Sequence, residues 1–537
     1  MNVKPVINFF RSRSLYLSSG IILGCSFLVP ESLSMLVLGW LFMVTVALAV
    51  KRDERSTVPG LLLCSMVAHF IGFYWLPETT TFFGGFPYWV SLLILLFYCA
   101  VASLQFVLCG ILYDSLRGTV LSGWDLVLGF SWCTAEFIMP KIFPWLLAHT
   151  QTVWSSFAAW AEFGGTVLLS LPLMWWASLA ASAWIQRSFN LRTLIGVLVL
   201  AAMTLYGWQR NAEVLEQMSK IPPYRFALIQ GNLAAKQKGD PRQLEANLDL
   251  YRKLSEEAEA SGADIIIWPE SVAAYWTPGE LQNLRDTRFD PAPEISVPFI
   301  YGGLSYERRP EEEQQELIAE VKEEVTDEYR KQIQLRFNNS AFAIGMHGET
   351  IGRYDKRALM PMGEFLPFER SYPSVRKLSP HTGNFDRGQI EEPFLIQLKD
   401  GGRMKVMPLI CYEDLVPRLS LEAVEHGAQV LLNLTNDVWY GDTVAPYQHH
   451  LLALWRAIET RRYLLRSTNT GFTGVVDPLG RTTASLPIFT EGILQAEVHP
   501  LDISTWYVEF GDKLVQILAL LIVTAALICR VKRRKLT

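Results

Sequence analysis

Three side chains, each placed where the sequence reads as a strand end, could together carry out acyl transfer. Glu270 follows the buried-looking run Asp264–Trp268 in Trp268-Pro269-Glu270-Ser271. Lys356 lies in Tyr354-Asp355-Lys356-Arg357, and Cys411 closes Leu409-Ile410-Cys411 ahead of Tyr412-Glu413-Asp414. A thiol attacks a carbonyl as the thiolate, and a nearby carboxylate of raised pKa can take its proton. A lysine ammonium can then hold the tetrahedral oxyanion, so no histidine is required. Of seven cysteines only Cys411 lies outside a stretch hydrophobic enough for lipid; Cys25, Cys64, Cys99, Cys109, Cys133 and Cys529 all sit in apolar runs. Cys411 therefore has no disulfide partner in the soluble region, and it lacks Cys or His neighbours at metal-ligand spacing. Taken singly, each residue has a duller reading: a capping glutamate, a surface lysine, an inert buried cysteine. Their joint placement at strand ends, in the order Glu, Lys, Cys, favours a nucleophile and its base.

The elements that must position them form a region distinct from the rest of the chain. From Tyr224 onward, short apolar runs alternate with charged helical stretches. Phe226–Ile229, Asp264–Trp268, Phe299–Leu304, Ser340–Gly345, Lys405–Ile410 and Val430–Leu434 read as strands; Leu244–Ser261 and Leu419–His426 read as helices. The strands are continuously apolar rather than alternating, which predicts a sheet covered on both faces and an α/β layered sandwich. Glu307 to Arg336 is dense in Glu, Lys, Arg and Gln and lacks an apolar stripe wide enough for a core, so it reads as an exposed helical excursion between two strands. A partner-docking role is the alternative.

The flanking sequence is of another kind. The chain has 537 residues, 50% hydrophobic and only 19% charged, against about a quarter charged in average soluble chains. A span needs about 20 apolar residues. Eight are expected, over 15–30, 33–50, 58–77, 88–113, 121–139, 157–185, 193–208 and 512–530, giving a helical membrane bundle at 1–208 (seven spans), a soluble catalytic domain at 209–511, and a membrane helix with a basic tail at 512–537. Lys4, Arg11 and Arg13, Lys51, Arg52 and Arg55, Arg117, Arg187 and Arg192, and the cluster Arg530–Lys535 fall on alternate loops and at both termini. That asymmetry puts both termini in the cytoplasm and the soluble domain on the far side. The net charge of −5, with no basic stripe, gives no reason to expect nucleic acid. Glu136 and Glu162 are expected at membrane depth, where charges are costly and usually functional; the spans otherwise show no paired charges of the kind that mark an ion pathway.

Trp-Pro-Glu-Ser, Asp-Lys and Cys-Tyr-Glu in this order resemble the nitrilase superfamily, whose members use a Glu-Lys-Cys triad on an αββα sandwich. Gln230-Gly231-Asn232, Gly363-Glu364-Phe365-Leu366-Pro367, Asn436–Asp442, Gln448-His449, Arg456–Glu459 and Arg466–Gly471 narrow the resemblance to the apolipoprotein N-acyltransferase family, as does the layout of seven spans before the domain and one after. The resemblance implies that Glu270 is the general base, Lys356 the oxyanion stabiliser and Cys411 the nucleophile that becomes a thioester. It further implies that Glu364 orients the lysine, that Tyr412 and Glu413 support the nucleophile, and that Asn339 belongs to the site. The implied enzyme is a bacterial inner-membrane protein with a periplasmic catalytic domain. It needs no cofactor or metal, and moves a fatty acyl chain from a phospholipid to the α-amine of diacylglyceryl-modified apolipoproteins. Where that family commonly has Lys-Trp after Gln-Gly-Asn, this chain has Lys238-Gly239. Phe365, Leu366, Phe368, Tyr372 and Phe385 read either as a mobile arm over the site or as an ordinary ordered loop. Phe82, Phe83, Phe86, Tyr88 and Trp89 read as an interfacial aromatic belt. The competing readings are a membrane-tethered amidase or nitrilase acting on a soluble C–N substrate, and an inactive scaffold.

Overall fold

A computed structural model describes residues 4–534 apart from 235–236, 238–239, 282, 285–286, 379–381 and 391. The soluble region folds as two stacked sheets. Strands β1 (Tyr224–Gln230), β2 (Ile265–Ile267), β3 (Ala273–Pro278), β4 (Phe299–Arg308), β5 (Leu335–Ile344), β6 (Thr350–Asp355) and β13 (Gly492–Val498) form one sheet. Its order is β13-β1-β2-β4-β5-β6, with β3 paired to β4. The second sheet runs β12-β11-β10-β9-β8-β7, built from β7 (Phe394–Gln397), β8 (Arg403–Ile410), β9 (Val430–Thr435), β10 (Tyr463–Thr468), β11 (Gly474–Val476) and β12 (Thr482–Ser485). Each sheet has a parallel centre, β1-β2-β4 and β8-β9-β10, bordered by antiparallel strands.

Successive residues along a strand point to opposite faces, and here both faces are buried. Phe226, Leu228, Ile265 and Ile267 pack into the core between the sheets with Val406, Ile410, Leu432 and Leu465. Their neighbours Ala227, Ile229, Ile266 and Trp268 pack outward beneath Leu248, Tyr251 and Leu254 of the helix Leu244–Ala260. Helices Pro417–Glu425 and Trp455–Thr460 cover the second sheet's outer side. This is the α/β layered sandwich expected from the unbroken apolar runs, in the αββα order that the resemblance implies.

Helices dominate the rest. Among the described residues four are long and apolar enough to cross a membrane: Leu33–Arg52, Tyr88–Leu116, Leu191–Ser219 and Lys513–Arg533. The count reaches six if two bent pairs, Val58–Gly72 with Leu76–Phe82 and Ala161–Leu168 with Ser170–Gln186, are single spans. By this measure the eight expected spans are not all met: Val127–Ile138 has only 12 residues, about 18 Å of helix, and the helix Lys4–Ser26 is not among the six. The helix from Leu191 runs unbroken to Ser219.

Three features bear on the sequence expectations. Lys51, at the end of the helix Leu33–Arg52, pairs with Asp125, and Glu162 pairs with Arg210 at 3.0 Å. Glu136 and Glu162 are structural acceptors, Glu136 for Trp132 Nε1 and the Leu147 N–H (both 2.9 Å), Glu162 for Arg210 and Arg461. The charged excursion has a small core of its own, in which helices Glu311–Glu320 and Asp327–Gln332 bury Leu317, Tyr329 and Ile333 together. It is also fastened to the segment after Glu364. Arg309 bonds Asp386 (2.5 Å), the Lys322 N–H donates to the Ser371 carbonyl (2.8 Å), and Glu323 accepts from the Ser374 hydroxyl (2.8 Å). In that segment Leu366 is buried and Phe368 exposed. Phe82, Phe86, Tyr88 and Trp89 are exposed, as an interfacial belt requires. The side chain of Phe83, and Lys238-Gly239, lie outside the described residues.

Candidate active site

The three suspected residues converge at one end of the sandwich. Glu270 follows β2, Lys356 follows β6, and Cys411 follows β8. Asn339 lies within β5, and Glu364 comes from the loop after β6. Glu270 is brought in by close backbone packing: a Cβ on Gly302 of β4 would lie 2.5 Å from the Glu270 Cα. Glycine alone permits that approach.

Lys356 is the centre of the cluster. Its ammonium is 2.8 Å from Glu364 Oε1 and 3.6 Å from Glu270 Oε1, and its side chain is only 1% exposed. A buried ammonium needs carboxylate partners. Burial acts to lower its pKa, but Glu364, Cys411 and Glu270 together hold it well above the ordinary lysine value. Asn339 Nδ2 donates to both carboxylates, at 2.8 Å to Glu270 and 3.1 Å to Glu364, and so fixes them on either side of the lysine. The Met360 N–H donates to the other Glu364 oxygen at 2.9 Å.

Cys411 has φ +54°, a left-handed backbone that a non-glycine residue adopts only when its surroundings enforce it. Asn433 Nδ2 donates to the Cys411 and Leu409 carbonyls, at 2.9 and 3.1 Å. Burial, and then the Glu270 charge, push the thiol well above its ordinary range; Lys356 opposes them. The arrangement disfavours a resting thiolate at Cys411 and sets the Glu270 and Glu364 carboxylates and the Lys356 ammonium around it.

The two residues after the nucleophile do different work. Glu413 is fully buried, and burial raises its pKa. One oxygen accepts from the Arg357 and Ala358 N–H groups (2.6 and 2.9 Å), the other from the Ile410 N–H and the Tyr354 hydroxyl (2.7 and 2.9 Å). It fastens the nucleophile's turn to the backbone carrying Lys356. The Tyr412 hydroxyl points away and donates to the Ile142 carbonyl of the helical region at 2.7 Å. All seven suspected residues therefore adjoin the site. Sequence reasoning passed over Gly302 and Asn433, and it used Tyr354 and His449 only as parts of motifs; each acts through a partner distant in the chain.

The fold and cluster define a carbon-nitrogen hydrolase-type domain with a buried Glu-Lys-Cys constellation, joined to a helical bundle. The carbon-nitrogen hydrolase family profile matches residues 225–507, and that of the apolipoprotein N-acyltransferase N-terminal domain matches residues 19–179. An apolipoprotein N-acyltransferase of Ralstonia nicotianae is 31% identical over 85% of this chain and 82% of its own. Another, of Geobacter metallireducens, is 29% identical over 92% of this chain and 90% of its own. Among solved structures, a nitrilase-superfamily amidase from Nesterenkonia AN1 covers 54% of this chain and 94% of its own, with 18% identity and a TM-score of 0.35. The chain belongs to the apolipoprotein N-acyltransferase family, a multi-pass membrane branch of the nitrilase superfamily.

Proposed function

We propose that this N-acyltransferase works through a thioester on Cys411, with Glu270 as base and Lys356 as oxyanion partner. Glu270 takes the thiol proton as the sulfur attacks the ester carbonyl of a membrane phospholipid. Lys356 holds the negative charge on the carbonyl oxygen, and the intermediate collapses with the proton passing to the departing lysophospholipid hydroxyl. The α-amine of a diacylglyceryl-cysteine then attacks the thioester, Glu270 accepts the amine proton, and the thiolate leaves as the amide forms. Such a two-stage reaction gives ping-pong kinetics. Glu364 and Asn339 hold the lysine and the base, while Glu413 and Tyr412 hold the nucleophile's turn.

The observation that carries this reading is the buried cluster in which Lys356 joins Glu270 and Glu364 beside Cys411, whose thiol burial pushes up. In the same reading residues 1–208 form the membrane bundle, 209–511 the catalytic domain and 512–537 the terminal helix and tail. The alternation of basic loops supports the same reading, with both termini in the cytoplasm and the site on the periplasmic side of the bacterial inner membrane.

The test is intact-protein mass spectrometry after incubation with phospholipid vesicles. The parent should gain a fatty-acyl mass that hydroxylamine removes, and Cys411→Ala should gain none. A folded parent that gains no adduct would end the phospholipid-thioester reading and favour hydrolysis of a soluble amide or nitrile.

A further inference from the structure

Helix Ala445–Ala453 packs against the nucleophile's turn and carries three consecutive polar side chains, Gln448, His449 and His450, each with inward partners. Gln448 sits at the break in the bent pair of helices around residues 72–76. Its Nε2 donates to the Phe27 and Gly72 carbonyls (2.9 and 3.0 Å), and its Oε1 accepts from Trp75 Nε1 (3.0 Å). His450 Nε2 lies 2.8 Å from the Thr482 hydroxyl and 3.0 Å from Glu31 Oε1, which belongs to the loop between the first two helices. Between them His449 turns inward: Nε2 is 3.1 Å from Asp414 Oδ1 and Nδ1 is 3.0 Å from Asp437 Oδ1. Asp414 is the third residue after the nucleophile and is fully buried, and Arg466 of β10 bonds its other oxygen.

We infer that His449 is a positioning residue for acyl transfer: clamped between Asp414 and Asp437, it fixes the turn that presents Cys411, and its helix seats that turn on the membrane bundle. The inference rests on the reading of Cys411 as nucleophile.

A neutral imidazole has one N–H and one bare nitrogen. With a carboxylate oxygen facing each ring nitrogen, only the imidazolium can donate to both. The cluster then balances, two carboxylates against His449 and Arg466. Losing the imidazole would leave Asp414 and Asp437 facing one guanidinium in a buried space, and Asp414 without its second support. The turn it anchors holds Cys411 in a left-handed backbone that relaxes unless held. His449 touches no reacting atom; its effect reaches the thiol through Asp414 and the turn.

The groups facing His449 are Asp414, Asp437, Arg466 and, edge-on at 6.4 Å, the Tyr440 ring, with His450 and its partner Glu31 beyond. Burial lowers the imidazole's pKa and Arg466 lowers it further, but the two carboxylates prevail and push it from 6.5 up to about 9. A group raised in this way stabilises the fold fully below its unfolded pKa, and that stability is lost as pH rises through the folded value. The clamp is thus complete at neutral pH and is lost through about pH 9.

The test compares His449→Gln and Asp437→Asn with the parent, in full-length protein reconstituted with phospholipid. Acyl-thioester formation is followed by mass per folded molecule from neutral to alkaline pH. His449→Gln should slow thioester formation by about 10²-fold, the size expected when a reacting group is displaced, with the KM for phospholipid little changed. Asp437→Asn keeps the ring but removes one carboxylate holding its proton, so the alkaline fall in rate should move to lower pH. A purely structural residue would lower yield and melting temperature while leaving the rate per folded molecule and its pH profile intact. A parental rate in folded His449→Gln, or a parental pH profile in Asp437→Asn, would overturn the inference, and the second decides alone if His449→Gln does not fold. An adduct surviving Cys411→Ala would instead overturn the underlying thioester reading.

Discussion

At Cys411 a left-handed backbone coincides with a thiol that burial and the Glu270 charge keep protonated. An exposed reactive cysteine is activated by resting as the thiolate. Here a resting thiolate is disfavoured, and in the proposed mechanism reactivity comes from Glu270 at the moment of attack. The two carboxylates around Lys356 have opposite consequences for two measurements. In Glu270→Gln the negative charge that raises the thiol's pKa is gone, so alkylation of Cys411 by iodoacetamide should shift to lower pH. Acyl-thioester formation in the same variant should fall by about 10²–10⁴-fold, the contribution of a positioned general base. Lys356→Ala should behave the other way for alkylation, shifting it to higher pH, because the lysine's charge lowers the thiol's pKa. Its acyl transfer should fall by about 10²–10³-fold through loss of oxyanion stabilisation. A Glu270→Gln variant whose alkylation profile stays parental would show that the glutamate does not sense the thiol.

At the scale of elements, the site depends on how closely β4 passes behind Glu270. A methyl group at residue 302 would meet the Glu270 Cα, the Pro269 carbonyl oxygen and the Ser271 nitrogen at 2.5 to 2.7 Å. All are backbone atoms, so the connection after β2 must move. Gly302→Ala should therefore cost about 1–3 kcal/mol of stability, as overpacking typically does. It should also slow thioester formation beyond that loss, by displacing the base; a variant of lower melting temperature but parental rate per folded molecule would contradict this. The strands legible in the sequence were those whose inward and outward residues are both apolar: β1, β2, β4, β5, β8 and β9. Strand β10 is as deeply buried, yet reads as Tyr-Leu-Leu-Arg-Ser-Thr because Arg466 is neutralised by Asp414, 52 residues earlier. Edge strands β7 and β12 alternate in burial and are four residues each, too short for a pattern to declare itself. Glu270 and Cys411 were legible because each ends a recognisable apolar run, whereas Lys356 follows the polar strand β6 and stood out only through its Asp-Lys motif. Asn433, Tyr354 and the clamp on His449 were not legible, since their value lies in partners 12 to 59 residues away.

For the whole molecule, the helical bundle is more than an anchor, because charged and polar groups of the catalytic domain complete their bonding inside it. Arg461 of the catalytic domain is fully buried, with its Nε 2.9 Å from Glu162 Oε2 and its NH1 3.0 Å from the Pro478 carbonyl. Glu459 accepts from the Thr166 N–H and hydroxyl at 2.9 and 2.6 Å. Tyr412, beside the nucleophile, ends on the Ile142 carbonyl. A buried pair of this kind adds little net stability over apolar packing, but breaking it by removing one partner strands the other, at about 3–5 kcal/mol. Glu162→Ala should therefore lower the melting temperature of the detergent-solubilised protein markedly, since Arg461 cannot reach water. Arg210, the partially exposed second partner of Glu162, can turn outward and should contribute little. Replacing both members, Glu162→Ala with Arg461→Met, should recover part of the loss by removing the stranded charge. Because Arg461 and Tyr412 leave the catalytic domain for the same bundle, the single variant should also slow acyl-thioester formation, and the double variant should restore that rate less completely than it restores stability. A Glu162→Ala protein with an unchanged melting temperature would mean that the two parts are held together by their apolar contacts alone.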